Sequence, residues 1–372
     1  MNSSLSPGQE GLHWRTAGES HGGCLIALLE GLPVGLAISE DAIRAELLRR
    51  WQGYGRGLRK GFEKDELQIL TGLKKGITLG SPLALQLGNG DQRIDSLPNL
   101  KAPRPGHADL PAALRWKTRD LRAPLERASA RETAARTALG AIAKQLLAVF
   151  EIQVQSQVLS IGGVAFAEET SWKAEVDRAR EKGDSLGGRF RLVATGVPPG
   201  LGGFAQAADR LDSRLMGLIG SIPAVKAVAI GSGSLAGDLP GSQFHDPICL
   251  ENGSWAGLGR ESNHSGGIEG GLSNGQEIVV EAVMKPIPTL RQGVPSVNLA
   301  EMTAERATYE RSDVCVVEPA AVVGEALLAL QLASVLCARL GAVSLAEMRA
   351  RFGQLGQEES PKDWPEDIAG LD

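Results

Sequence analysis

Cysteine is scarce and scattered. The four cysteines among 372 residues include no C-x-x-C pair, and none joins histidines at zinc spacing. Reduced thiols in a cytoplasmic protein are the simplest reading, and no metal is expected. An excess of positive charge is also missing. The 39 Lys and Arg face 44 Asp and Glu, a net of −5, which argues against a general nucleic-acid or membrane-surface binder. Met1 to Trp14 contains no apolar run, so no secretory signal is read there. No short-period repeat and no Pro/Ser linker divides the chain. The mostly apolar stretch from Ala320 to Ala338 is interrupted by Glu325, Gln331 and Ser334. A carboxylate at mid-bilayer is costly, so a buried helix is expected there rather than a membrane span.

Glycine is what the chain has in abundance, 47 of 372 residues, against a usual share of about 7%. No G-X-Y period accompanies it, so collagen is excluded, and tight turns or close backbone approach to a ligand are implied. Ser39, followed by Glu40 and Asp41 and by Ile43, Leu47 and Trp51 at four-residue spacing, predicts a helix ended by Gly53, Gly55 and Gly57. The capping-box pattern Ser129-Ala130-Arg131-Glu132 predicts a second, running to about Phe150. Two more are expected over 206–219 and 320–340. Strand-like runs lie at 24–29, 82–87, 153–161, 189–197, 225–230 and 277–284. The segment from Glu358 to Asp372 is acidic, carries Pro361 and Pro365, and reads as a mobile tail.

Charge is placed unevenly. From Arg44 to Lys60, five Arg and one Lys face Glu46 alone. From Lys101 to Arg136, seven Arg and two Lys face four acids. Each segment carries +5, so the rest of the chain carries −15. Arginine grips phosphate or carboxylate in a bidentate fork. These arginines sit among glycines and near an expected helix start, where free N–H groups also favour an anion. Two phosphorylated ligands, one bearing two further carboxylates, would match that charge in a single cleft.

Gly18-Glu19-Ser20-His21-Gly22 fits the G-x-S-x-G nucleophile elbow, but that serine follows several strands of its sheet, and Ser20 has only 19 residues before it. A hydrolase is therefore set aside. His21 and His107, two of only five histidines, each lie in a glycine-containing turn. Imidazole can deliver a proton near neutral pH. The run Gly266 to Gly275 lacks a Walker lysine and does not open a helix as a dinucleotide fingerprint would.

Seven segments, in order, resemble the chorismate synthase family over about residues 12 to 340. They are Thr16 to Gly22, Gly53 to Gly57, Arg104 to Leu110, Ser129 to Thr133, Gly266 to Gly275, Lys285 to Leu290 and Glu310 to Asp313. The resemblance implies an α/β layered sandwich with central helices between antiparallel sheets. It implies a single catalytic domain over 12–352, between an N-terminal extension at 1–11 and an acidic tail at 353–372. The implied enzyme is a lyase of the shikimate pathway to aromatic amino acids. It eliminates phosphate and a ring proton in a 1,4 relationship from 5-enolpyruvylshikimate 3-phosphate to give chorismate. Reduced FMN is required without net redox change; it transiently supplies electron density, and its N5 receives the proton.

Carried over residue by residue, His107 would protonate reduced flavin and His21 would serve the leaving phosphate. Asp313, with Ser20 and Ser129, would assist proton transfer at N5. Arg50, Arg56, Arg104, Arg131 and Arg311 would bind substrate. Arg127, Ala128, Ser129, Ala224, Gly270, Lys285, Pro286, Ile287, Pro288, Thr289 and Arg311 would contact flavin. The remaining length leaves no room for a reductase domain. Reduced flavin would then come from an external flavin reductase, unless NADPH is used at Arg50 and Arg56. A homotetramer is implied, with a small-molecule substrate and neither nucleic acid nor membrane as partner. Two rivals draw on the same basic segments: an NADPH-dependent flavin reductase, and a flavin-phosphate binding protein without catalysis.

Overall fold

Alternating apolar residues build two sheets. In the first, β1 (His13–Ala17), β2 (Cys24–Glu30), β3 (Glu66–Ile69) and β4 (Leu83–Gly88) run antiparallel in the order β1-β2-β4-β3. Leu25, Ala27 and Leu29 pair directly with Leu87, Leu85 and Leu83, so all six share one buried face. In the second, β5 (Gln153–Ile161), β6 (Val164–Ala165), β7 (Gly188–Thr195), β8 (Val225–Ile230) and β9 (Ile278–Met284) are antiparallel in the order β8-β9-β7-β5-β6. There Phe190, Leu192 and Ala194 oppose Ala282, Val280 and Ile278 on the covered face. The computed structural model that gives this architecture describes residues 11–56, 65–310, 313–355 and 361–366.

Two bare sheet faces need covering. Among the described residues, the helices of seven residues or more are α1 (Glu40–Trp51), α2 (Asp109–Trp116), α3 (Arg122–Ala128), α4 (Thr133–Ala148), α5 (Glu169–Lys182), α6 (Leu211–Gly220), α7 (Val317–Leu340) and α8 (Leu345–Phe352). α4 packs on β2 and β4 and on α7, while α7 packs on β5 and β7. The order is thus sheet, helix, helix, sheet, the layered sandwich expected. α7 is long and apolar enough to cross a bilayer, yet 89% of its most apolar window is buried inside the protein. A Cβ on Gly140 of α4 would stand 2.3 Å from the Ala326 Cβ of α7, so glycine permits their closest approach. Between them Glu325, 2% exposed, receives Arg49 through Nη1 (2.8 Å) and Nη2 (2.9 Å), Ser156 Oγ (2.7 Å) and Lys144. This cluster ties α1, α4, β5 and α7 together.

The helix expected from Ser39 is α1, whose Ala42 N–H donates to Ser39 Oγ (3.2 Å). The expected helix from Ser129 differs. Arg127 and Ala128 end α3, the chain turns extended at Ser129 (φ −63°, ψ 143°), and a short 3-10 turn, Ala130–Glu132, precedes α4. Ser129 Oγ accepts from the Arg131 N–H (3.3 Å), but the Glu132 carboxylate goes instead to Thr16 and Arg136. Only half of the capping box forms. The third expected helix starts at Leu211 rather than 206, and the fourth at Val317 rather than 320. One apolar core runs from Leu12 to Met348, and a small second cluster of Leu100, Ala113, Leu121 and Leu125 lies with α2 and α3.

Candidate active site

Arg104-Pro105-Gly106-His107 is a type II turn. Proline pre-sets the second position, Gly106 supplies φ +79°, and the His107 N–H donates to the Arg104 carbonyl (3.2 Å). The turn places both side chains over the first residue of α2, Asp109, which is fully buried. Both Asp109 oxygens are engaged. Oδ2 accepts from the Arg104 backbone N–H (3.0 Å) and Nε (2.8 Å); Oδ1 accepts from Arg104 Nη2 (3.0 Å) and lies 2.5 Å from His107 Nδ1. Burial alone would raise the Asp109 carboxyl, but the hydrogen bonds from His107 and Arg104 outweigh it and hold it well below the usual carboxylate range. Arg104 Nη1 also donates to Thr289 Oγ1 (2.9 Å), and Lys285 Nζ donates to the Gly106 carbonyl (2.9 Å). The 285–289 segment is thereby fixed to the turn. Burial, and then Lys226, lowers the Lys285 ammonium below its ordinary value.

The opposite wall comes from the end of α1 and the break before α4. Arg50, 6% exposed, donates through Nε to Thr133 Oγ1 (3.0 Å) and through Nη2 to the Ala130 carbonyl (2.8 Å). Arg131 binds Asp65, Asn89 Oδ1 (2.9 Å) and the Gly88 carbonyl (3.2 Å). The Arg56 guanidinium lies 5.2 Å from the Trp51 ring centre, and its Nε is 3.4 Å from Asp313 Oδ2. Burial pushes the Arg50 guanidinium down to about 10; Asp65 opposes the shift, and Arg131 and Arg56 add to it. Arg50, buried beside two further guanidinium groups and paired with no carboxylate of its own among the described residues, is suited to an anion.

These walls enclose a cleft of about 440 Å³. Of the residues singled out from sequence, it is lined by Ser20, Arg50, Arg56, Arg104, His107, Ala128, Ser129, Arg131, Ala224, Lys285, Ile287, Pro288, Thr289 and Asp313. His21 stands behind the wall. Its Nδ1 is 2.8 Å from the fully buried carboxylate of Glu126, and its Nε2 is 4.0 Å from Asp91, which does line the cleft. Arg127 and Pro286 are exposed and off the cleft lining. Gly270 sits in a separate hairpin, 268–273, with its carbonyl accepting from Arg210 (3.2 Å) and open space around it. Arg311 lies outside the described residues.

The basic segments divide. Arg44, Arg49, Arg122 and Arg136 are taken up by Glu40, Glu325, Glu310 and Glu132, whereas Arg50, Arg56, Arg104 and Arg131 face the cleft. Sequence reasoning did not single out Asp109, Glu126, Asp65 or Asn89. Asn89, 6% exposed, donates to the Glu19 (3.0 Å) and Gly22 (2.8 Å) carbonyls while accepting from Arg131. It couples the Gly18–Gly22 turn to the arginine wall. That turn joins β1 to β2 rather than a strand to a helix, so it is no nucleophile elbow. For Asp109 a signal existed, since an acid two residues after a turn histidine can reach its ring. For Asn89 and Asp65 none did, because both act across long sequence separations.

Four guanidinium groups, an ammonium, an imidazole and the carboxylates of Asp91, Glu310 and Asp313 around one cleft define an enzyme of small anionic substrates, built in a sandwich of two sheets and two inner helix layers. The sequence profile described as chorismate synthase matches residues 12–337. The chorismate synthase of Caldanaerobacter subterraneus subsp. tengcongensis is 46% identical, with 92% of this chain and 97% of that protein covered. That of Geobacter sulfurreducens is 44% identical at the same coverage. A solved structure, "Crystal Structure of Chorismate Synthase", superposes with a TM-score of 0.76 at 39% identity, covering 92% of this chain and 97% of that one. The chain belongs to the chorismate synthase family, and with it to the carbon–oxygen lyases.

Proposed function

We propose that the cleft carries out the 1,4-elimination of phosphate from 5-enolpyruvylshikimate 3-phosphate, giving chorismate, with reduced FMN beside the substrate. The observation that carries the reading is that buried Arg50, with Arg131 and Arg56 beside it, shares one cleft with His107 and with Asp313, which lies against Arg56. A phosphate dianion and the substrate's two carboxylates, one on the ring and one on the enolpyruvyl group, offset the repulsion among these guanidinium groups in bidentate geometry. The fit of reduced FMN rests on the same excess of cationic groups, including Lys285, and on the backbone turn at Ala224, which is held at φ +70°. Bound there, reduced FMN supplies electron density for loss of the allylic phosphate.

The residues do the rest. Arg50, Arg56, Arg104, Arg131 and Arg311 hold substrate; Ala128, Ser129, Ala224, Ile287, Pro288 and Thr289 bound the flavin side, with Lys285 as its cation. His107 holds a proton toward the flavin. Asp313, with Ser20 and Ser129, moves the ring proton. His21 acts through Asp91 at the phosphate end. Residues 12–352 form one catalytic domain, the assembly is a cytoplasmic homotetramer, and an external reductase supplies reduced flavin. Anaerobic incubation of the purified chain with this substrate and chemically reduced FMN should release phosphate and chorismate together. Steady NADPH oxidation without substrate would favour a flavin reductase instead, and tight FMN binding with no phosphate release a binding protein.

A further inference from the structure

Each of the two histidines in glycine turns meets a buried carboxylate at Nδ1: His21 meets Glu126, and His107 meets Asp109. The second pair is the tighter and belongs to the cleft wall. A bare Nδ1 at 2.5 Å from an ionised oxygen would set two lone pairs against each other, so that nitrogen must carry the proton. Arg104 Nη2, 2.9 Å from the same Nδ1, cannot then donate to it and is directed to Asp109 Oδ1 instead. Among the described residues no side chain reaches His107 Nε2. It lies on the ring edge away from Asp109, and the ring lines the cleft.

We propose that Asp109 is a positioning residue that fixes His107 in the Nδ1–H tautomer and orientation, so that Nε2 is the nitrogen presented to bound ligand. The same carboxylate holds the Arg104 fork, so proton carrier and anion holder are set by one buried group. This rests on the proposed role of His107. Four donors converge on the two oxygens. An amide at this position would turn one acceptor into a donor facing other donors, although its shape is unchanged.

The test is nitrogen-15 NMR of the full chain labelled at histidine, with anaerobic turnover measured in parallel. In the wild-type protein the His107 proton should sit on Nδ1. Asp109→Asn should shift the population toward Nε2–H and lower kcat by roughly 100- to 10,000-fold. Placed on top of His107→Ala, the same change should lower kcat less than about 3-fold further, because the two act as a unit, while the loosened Arg104 fork raises KM in both backgrounds. A wild-type His107 protonated on Nε2 alone, an unchanged tautomer in Asp109→Asn, or two losses that simply multiply would each overturn the proposal. The wild-type spectrum decides even if the variant does not fold. Normal turnover in His107→Ala would instead remove the role of His107 while leaving the tautomer result standing.

Discussion

Replacing Arg50 by methionine should make the ligand-free protein more stable and the ligand-bound protein weaker. Holding this guanidinium charged when its pKa has been pushed from 12.5 to about 10 costs roughly 3 kcal/mol at neutral pH. The sign follows from the direction of the shift. Below the folded-state value both folded and unfolded chains carry the proton, so the whole penalty is present at pH 7. It fades only as pH rises through about 10. Removing the side chain also removes its bonds to Thr133 Oγ1 and the Ala130 carbonyl, but these two already bond each other at 2.6 Å. Neither is stranded, so that loss is about 1 kcal/mol. The net gain is roughly 1–2 kcal/mol, or about 2 °C in Tm for a chain of this length. Inorganic phosphate or FMN should raise the Tm of the wild-type protein by mass action, and the variant much less. Thermal melts with and without phosphate measure both. A variant that loses more than about 2 kcal/mol while keeping the full phosphate shift would refute the reading of Arg50 as an uncompensated anion holder.

Three further outcomes are expected. His107→Ala and Asp313→Ala should keep the fold by circular dichroism and lose about 100- to 10,000-fold in anaerobic phosphate release; near-normal rates in both would show that these groups move no proton. Burial would raise the Glu325 carboxyl, but Arg49, Lys144 and Ser156 bring it down to about 2, so it contributes roughly 3 kcal/mol above its ordinary value of 4.5 that is lost as pH falls toward 2. Urea melts at pH 5 and pH 3 should show that loss in the wild-type protein, and Glu325→Gln, destabilised at both by about 3–5 kcal/mol, should show less pH dependence. Gly140→Ala should cost about 1–3 kcal/mol or more, since its Cβ would meet Ala326 backbone at 2.5 Å; an unchanged Tm would mean the two helices can part freely.

The frame was legible where local pattern and tertiary role agree. Gln153–Ile161 and Val225–Ile230 match their expected limits, and β2, β4 and β9 lie within a residue of theirs, because alternation of apolar side chains is read directly from sequence. α2, α3 and α5 escaped notice, being short or polar, with edges drawn by contacts rather than propensity. At Ser129 the local signal pointed to a single helix start, and the structure uses that residue as a break between two helices. In the site, turn chemistry made the Arg104–His107 segment readable. The clusters of arginine were visible as charge, but which ones face the cleft depends on acids such as Glu325 and Asp65, whose positions only the folded chain reveals.

The contact that Gly140 permits between α4 and α7 also reaches the cleft, because Thr133 opens one of these helices and Pro319, Ala320 and Val323 belong to the early turns of the other. A floor built on two interlocked helices cannot adapt to what rests on it. Discrimination between ligands of different bulk therefore falls to that floor as simple steric refusal.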